Sequence, residues 1–203
     1  AQATIAGNLL QRPRCWYYRN GIPCVRTGGT GCPAVEGDNR YHAIFDGGPA
    51  WTVYNSDVGV ALHALLATAV ILSAEGERVI PVSELVVDPK VDPTRFHSLR
   101  EGDILREIRV PVMTDRYTGT FLKATERGGF DSALVSVAVV YNNFHGKFKY
   151  MQMFLGGVSP RPYVPRKTVD SIQYQNLSRD LISRAAIFAA EGATPLAHNA
   201  YKI

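Results

Sequence analysis

The segment that decides the fold runs from Ala133 to Tyr141, ALVSVAVVY, and is apolar at almost every position. A run that is apolar on both faces and rich in β-branched residues is typical of a strand in the centre of a sheet. Residues 142–146 then predict a turn, and Lys147–Gly156 predicts a strand that returns beside the first. These segments predict an antiparallel sheet in the second half of the chain.

Shorter strands are predicted upstream of this hairpin. Gly119–Thr125 is one candidate, and the alternation of Ile104–Val110 before Pro111 indicates a half-buried strand. Ala69–Ser73 and Arg78–Val82 flank a turn signal and predict a separate hairpin. Pro81 suits an edge strand, since proline donates no ladder hydrogen bond.

Two helices complete the expected fold. Ser56–Ala67 and Ser178–Ala190 each begin at a serine that can cap a helix, and each carries an apolar stripe. Residues 88–100 hold two prolines and no periodicity, and therefore predict a loop or a domain boundary. The fold class is α+β, with a loop-rich first half followed by an antiparallel sheet covered by helices.

Composition excludes several classes of protein. The chain has 203 residues, of which 46% are hydrophobic and 20% charged, so it has enough apolar material for a core and is not disordered. With a mean hydropathy of −0.07 and interrupted apolar stretches, no membrane span is expected. A net charge of 22 − 18 = +4 is too small to indicate a nucleic-acid partner. The chain does not begin with Met, and we expect it to be a fragment or one piece of a larger polypeptide.

The first 55 residues contain the features that point to a cofactor. They are rich in Gly, Pro and Arg without periodicity, and a long ordered loop of this kind tends to be functional. All three cysteines, Cys15, Cys24 and Cys32, lie here, and their odd number argues against a disulfide framework. Their spacing is not the C-x2-C of zinc ribbons or bacterial ferredoxins, so a metal site and unrelated free thiols both stay open.

Two short motifs are candidates for ligand binding. In Thr4-Ile5-Ala6-Gly7-Asn8, small residues allow backbone N–H groups to approach an anion, although an ordinary turn is the more frequent meaning of such a segment. Asp57 stands at the start of a predicted helix. A carboxylate there is usually a cap, and it is also able to accept hydrogen bonds from ligand hydroxyls.

These motifs, in this order, resemble the flavoprotein subunit of the xanthine dehydrogenase family of molybdenum hydroxylases. The resemblance covers essentially the whole chain, and the segments that carry it are TIAGN, QRPRCWYYR, GDNRYHAIF, EGDILREIRVP, LGGVSPRP and the final HNAYKI. It implies the second lobe of a PCMH-type FAD-binding domain over residues 1–95, with a cysteine loop at 12–50. A C-terminal domain, a small antiparallel sheet with helices, would follow over 96–203.

The resemblance also implies roles for individual residues. Thr4, Ala6, Gly7 and Asn8 match a turn that contacts FAD, with Ala6 where the family usually has Gly. Asp57 matches an acidic residue that bonds the ribityl or ribose hydroxyls. Ile104 and Leu105 match apolar residues on the isoalloxazine ring. Lys123 matches a basic residue at the pyrimidine edge of the ring, the alternative being a solvated lysine on a surface strand.

The nearest branches, periplasmic-type aldehyde oxidoreductases and 4-hydroxybenzoyl-CoA reductase, hold a 4Fe–4S cluster in this loop. The resemblance therefore implies Cys15, Cys24 and Cys32 as ligands, but the position of the fourth cysteine is Ala50, which cannot ligate iron. Asp46, His42 or a partner subunit would supply the fourth ligand, or a three-iron or labile cluster would form, or packing alone would hold the loop.

The implied function is electron transfer through FAD. Substrate chemistry would occur in a molybdopterin-binding large subunit, with a 2Fe–2S small subunit as a second partner. The family's Gly-rich FAD-binding first lobe is missing from this sequence and would come from another chain or segment. The alternative is a non-catalytic scaffold that docks partner subunits, with a structural zinc or no metal. The expected compartment is the cytoplasm, with periplasmic co-export on a partner left open.

Overall fold

The computed structural model describes residues 3–114, 116–145, 147–176 and 178–203. It confirms a mixed helix and sheet architecture, with two three-stranded antiparallel sheets instead of the one sheet and separate hairpin that were expected. The strands are β1 (Thr68–Ser73), β2 (Gly76–Pro81), β3 (Ile104–Arg109), β4 (Tyr117–Ala124), β5 (Val135–Phe144) and β6 (Lys147–Gly156). The helices are α1 (Ile5–Leu9), α2 (Trp16–Arg19), α3 (Asp57–Ala64), α4 (Arg166–Ile172) and α5 (Arg179–Ala189).

The first sheet has the strand order β2-β1-β3. Its β1–β2 hairpin agrees with the prediction, and Pro81 ends the edge strand β2. Strand β3, expected beside the later strands, instead pairs with β1, where Ile71 lies opposite Leu105. Both residues belong to an apolar core that includes Leu9 and Leu62, and this burial places β3 in the first sheet. The predicted division of the chain between residues 95 and 96 stays a prediction.

The second sheet has the strand order β4-β5-β6, and β5 is its central strand, as its sequence predicts. Ala138 and Val140 face α3, whereas Val139 and Tyr141 pack against the core beneath α4 and α5. Because helices cover both faces of β5, its residues are apolar at successive positions instead of alternating.

Helix α3 joins the two sheets. Its Leu62 lies in the core of the first sheet, and its Val60 and Ala64 pack against the second. Gly156 at the end of β6 makes this approach possible, since a Cβ at that position would collide with the side chains of Val60 and Ser136. The start of α3 is therefore fixed against both halves of the chain.

Several short elements escaped sequence analysis. Residues 1–55 were expected to be loop, but they contain α1, α2 and a 3-10 turn at Val25–Thr27. Helix α4 was also missed, whereas α5 begins after its predicted cap, Ser178. Elements of four to seven residues are too short to show a helical period. Within the described ranges, no helix combines the length and the apolar character that a membrane crossing requires.

The C-terminal segment fastens the cysteine loop. The Asn199 side chain donates to the backbone oxygens of His42 and Ala43, at 3.2 and 3.0 Å. Lys202 is buried, and its Nζ donates to the backbone oxygens of His42 and Gly157, at 3.0 and 2.8 Å. These contacts account for the position of the HNAYKI motif, which ties residues 42–43 to the end of the second sheet.

Candidate functional site

The Thr4–Asn8 motif forms a short helix start where the sequence predicted a turn. Thr4 Oγ1 accepts a hydrogen bond from the Gly7 N–H at 3.0 Å, the usual capping geometry of a threonine before a helix. This bond occupies an N–H group that the sequence had suggested as an anion donor. Thr4 and Gly7 are exposed and Ala6 is half-buried, so the motif lies at the surface beside the first sheet.

Helix α1 meets the start of α3 through a network of hydroxyl groups. The Ser56 hydroxyl donates to Asn8 Oδ1 at 2.6 Å and accepts from the Gly59 N–H at 2.9 Å. The neighbouring Tyr54 hydroxyl donates to the backbone oxygen of Leu9 at 3.0 Å. Two motifs separated by nearly fifty residues of sequence are thus held side by side.

Asp57 and Lys123 form an ion pair. Lys123 Nζ lies 2.9 Å from Asp57 Oδ2 and 3.0 Å from the backbone oxygen of Asp131. The side chains are 23% exposed for Lys123 and 34% for Asp57, so the pair is partly shielded from water but open on one side. It links the first turn of α3 to strand β4 of the second sheet.

The two apolar residues implied for ring packing face in opposite directions. Ile104 is 61% exposed, whereas Leu105 is 8% exposed and packs in the core of the first sheet. Successive residues of a strand point to opposite faces, so only Ile104 offers a broad apolar surface to a ligand. Leu105 is therefore buried away from the surface. Asn8 and Lys123, by contrast, contact the neighbouring residues Ser56 and Asp57 at the start of α3.

The cysteine loop does not present the expected cluster site. Among the residues that the structure describes, no group of three or more His, Cys, Asp or Glu is arranged to hold a metal ion. All three thiols are free, and Cys15 Sγ lies 3.3 Å from His42 Nε2. Burial raises the pKa of the Cys15 thiol, and negative charge on Cys32 and Cys24 acts in the same direction. The predicted 4Fe–4S cluster is therefore not supported.

Of the residues named as a fourth ligand, Asp46 is engaged elsewhere, whereas His42 lies against Cys15. Ala50 is fully buried and has no ligating atom, and Asp46 pairs with Lys90 at 3.0 Å. Burial, together with the positive charge of Lys202, lowers the pKa of His42 to about 4, so its ring is neutral at pH 7 and contacts Cys15. Arg26 fixes the same loop by donating to Thr52 and to the backbone of residues 93 and 95.

Sequence analysis missed the connecting residues of this site and a cleft beside it. Ser56 was recognised only as a helix cap and Tyr54 was not singled out. A cleft of about 220 Å³ separates the cysteine loop from the segment after β4, and its lining includes Trp16, Tyr41 and Arg127. A buried serine at a capping position gives no sign in the sequence of its long-range partner, since that partner is set by the tertiary fold.

Comparison with known proteins places this chain among flavoprotein subunits. The chain is 33% identical over 167 residues to the aldehyde oxidoreductase FAD-binding subunit PaoB of Escherichia coli K12, covering 80% of this chain and 51% of that protein. It is 29% identical to the glyceraldehyde dehydrogenase medium chain of Sulfolobus acidocaldarius, over 64% of this chain and 44% of that one. The chain thus spans about half the length of these relatives.

A solved structure shares the fold. The reconstituted CO dehydrogenase from Oligotropha carboxidovorans superposes with a TM-score of 0.62 at 20% identity, over 73% of this chain and 51% of the matched chain. No family model matches the sequence.

Proposed function

From the premise that this chain is a homologue of the FAD-binding subunits of oxidoreductases, we propose that it is the FAD-carrying electron-transfer subunit, or its C-terminal part, of a molybdenum hydroxylase complex. The observation that carries the proposal is the grouping of Asn8, Asp57 and Lys123 at the start of α3. These residues lie far apart in the sequence and have the donors, acceptors and charge that a flavin dinucleotide requires.

The chemistry of the site fits FAD. The Asp57 carboxylate accepts hydrogen bonds from ribityl or ribose hydroxyls, and the Lys123 ammonium places a positive charge next to it. Ile104 supplies exposed apolar surface for a planar ring at the first sheet. FAD supplies redox chemistry that exchanges electrons singly or in pairs, and the protein's part is to bind, orient and tune it.

Partner subunits belong to the same proposal. A molybdopterin-binding large subunit would transform the substrate, and a 2Fe–2S small subunit would relay electrons to this chain. Another chain or segment would supply the first FAD lobe. Purification of the native complex tests this: a large molybdenum-containing subunit and a small iron–sulfur subunit should co-purify. Recovery of this chain with neither partner would contradict the proposed assembly.

The visible absorption spectrum of the purified chain, with FAD added and excess removed, tests cofactor binding. Retained flavin bands at about one FAD per chain support the proposal. A colourless chain that contains zinc would instead support the scaffold function. Iron and acid-labile sulfide are measured on the same sample. A loss of iron in the variant Cys24→Ser would show that Cys24 is a ligand, and an unchanged iron content would show that it is not.

A further inference from the structure

We propose that Ser56 is a positioning residue that acts through Asn8, fixing the Asn8 side chain so that its amide nitrogen is the donor offered to an oxygen of the bound dinucleotide. This inference rests on the proposed function. It adds a residue that neither the sequence nor the resemblance assigned to the site, and it gives Asn8 a specific chemical role.

The argument begins with the hydrogen-bonding capacity of one hydroxyl. Ser56 is 1% exposed, so its hydroxyl has no access to bulk water. Its oxygen already accepts from the Gly59 N–H at 2.9 Å, as the cap of α3. The single hydroxyl proton is then available for one acceptor, because a serine hydroxyl carries only one donor.

The position of Asn8 fixes where that proton goes. The distance from Ser56 Oγ to Asn8 Oδ1 is 2.6 Å, within the range of O–H···O bonds and shorter than N–H···O bonds normally are. The Tyr54 hydroxyl also lies within hydrogen-bond reach of the Ser56 side chain, and it donates its own proton to the backbone oxygen of Leu9. The amide oxygen of Asn8 therefore faces Ser56, which leaves Nδ2 as the group that the side chain offers to a ligand.

The surroundings keep this arrangement rigid. Gly59, one turn into α3, lies so close to the Tyr54 ring that a Cβ there would collide with it. Asn8 itself is half-buried and stands beside a helix start whose next residue, Asp57, is an acceptor. A donor from Asn8 and an acceptor from Asp57 are complementary to the hydroxyl and phosphate oxygens of a dinucleotide.

The test is a double-mutant cycle on FAD affinity in the purified complex, from which the flavin has first been removed. Ser56→Ala, Asn8→Ala and the double variant are titrated with FAD, and flavin fluorescence gives the Kd. Each single variant should weaken binding about tenfold, the loss typical of one well-placed hydrogen bond. If Ser56 acts through Asn8, the double variant should be no weaker than Asn8→Ala alone.

Two controls separate positioning from loss of a cap. Ser178→Ala removes the equivalent cap of α5, where Ser178 Oγ accepts from the Leu181 N–H at 3.1 Å. It should lower the Tm by a similar amount and leave the Kd unchanged. Ser56→Thr keeps the hydroxyl and should restore the Kd to within about twofold of the original protein.

The outcomes are distinct. Effects of Ser56→Ala and Asn8→Ala that multiply in the double variant would overturn the inference and leave the proposed function standing. So would a Ser56→Ala chain that binds FAD as tightly as the original. A complex that binds no FAD with any of these variants or with the original chain overturns both the proposed function and this inference.

Discussion

Lys123 Nζ donates to Asp57 Oδ2 at 2.9 Å, and this contact connects strand β4 of the second sheet to the first turn of α3. A second hydrogen bond, from the same Nζ to the backbone oxygen of Asp131, fixes the position of the ammonium group. The pair is only partly exposed, so the ammonium and the carboxylate orient each other. The proposed cofactor contact at Asp57 therefore depends on a residue sixty-six positions away.

Replacing Lys123 with Met should weaken FAD binding. The variant keeps the aliphatic stem but removes the charge that orients Asp57, and we expect the Kd to rise about tenfold, the effect of losing one charged hydrogen bond. Stability should fall by about 1 kcal/mol, because the pair is near the surface and screened by water. Fluorescence titration and urea unfolding measure the two effects.

Lys90→Met is the matched control for this prediction. Lys90 pairs with Asp46 at 3.0 Å, and both side chains are about half exposed. Its replacement should leave the FAD affinity unchanged. Equal losses of affinity in the two variants would show that Lys123 has no special part in binding.

Gly156→Ala should destabilise the fold where α3 lies on the second sheet. The new Cβ would meet Ser136 Oγ and the Val60 side chain, and overpacking of this kind costs about 1–3 kcal/mol. Gly128→Ala is the control, since nothing lies within 4 Å of a Cβ at that position. Urea unfolding of both variants measures the difference, and similar midpoints would contradict the close approach of α3 to β6.

The stability of the protein should fall on mild acidification. Burial lowers the pKa of both His42 and His63 to about 4. Between pH 6.5 and 4 the unfolded chain binds protons that the folded protein does not, so this stabilisation is complete above pH 6.5 and lost as the pH falls. At pH 5 the loss is about 2 kcal/mol for each histidine.

Urea unfolding at pH 7 and at pH 5 tests this pH dependence. The variant His63→Gln removes one of the two titrating groups, so its stability should fall less between pH 7 and pH 5 than that of the original protein. A fall in stability as large as that of the original protein would rule out His63 as a contributor.

Alkaline pH should stabilise the protein through Lys202. Burial lowers the pKa of this lysine to about 8. Between pH 8 and the ordinary pKa of lysine, the unfolded chain binds more protons than the folded protein, so the free energy of unfolding rises with pH. Lys202→Met should abolish the rise. Urea unfolding at pH 8 and pH 9.5 measures this rise in stability. Burial raises the pKa of Tyr54 to about 12, and this residue has the opposite effect on stability only above that pH range.

Much of the fold could be predicted from local pattern. The apolar run in β5, the β1–β2 hairpin and the capped helices α3 and α5 were all recognised, because periodicity and capping residues are local signals. The pairing of β3 with β1 was not, since its alternation fits either sheet. Strand partners depend on which core buries Leu105, and that burial is a property of the assembled chain.

The candidate site, too, was predicted from the sequence only in part. Resemblance in the sequence selected Asn8, Asp57 and Lys123, and the fold brought Asp57 and Lys123 into contact and Asn8 against Ser56. It also selected Leu105, which lies in the core, and the three cysteines, which form no metal-binding group among the described residues. The spacing of cysteines along a chain does not determine the distances between their sulfur atoms.

The sequence by itself determined the strands and the longer helices α3 and α5 of this protein, its relatives and its candidate binding motifs, because hydrophobic period, helix caps and motif order are properties of consecutive residues. Only the tertiary structure decided the pairing of β3, the contact of Cys15 with His42 and the bond from Ser56 to Asn8. These contacts join residues far apart in the chain, and they form only where burial of two separate cores brings the segments together.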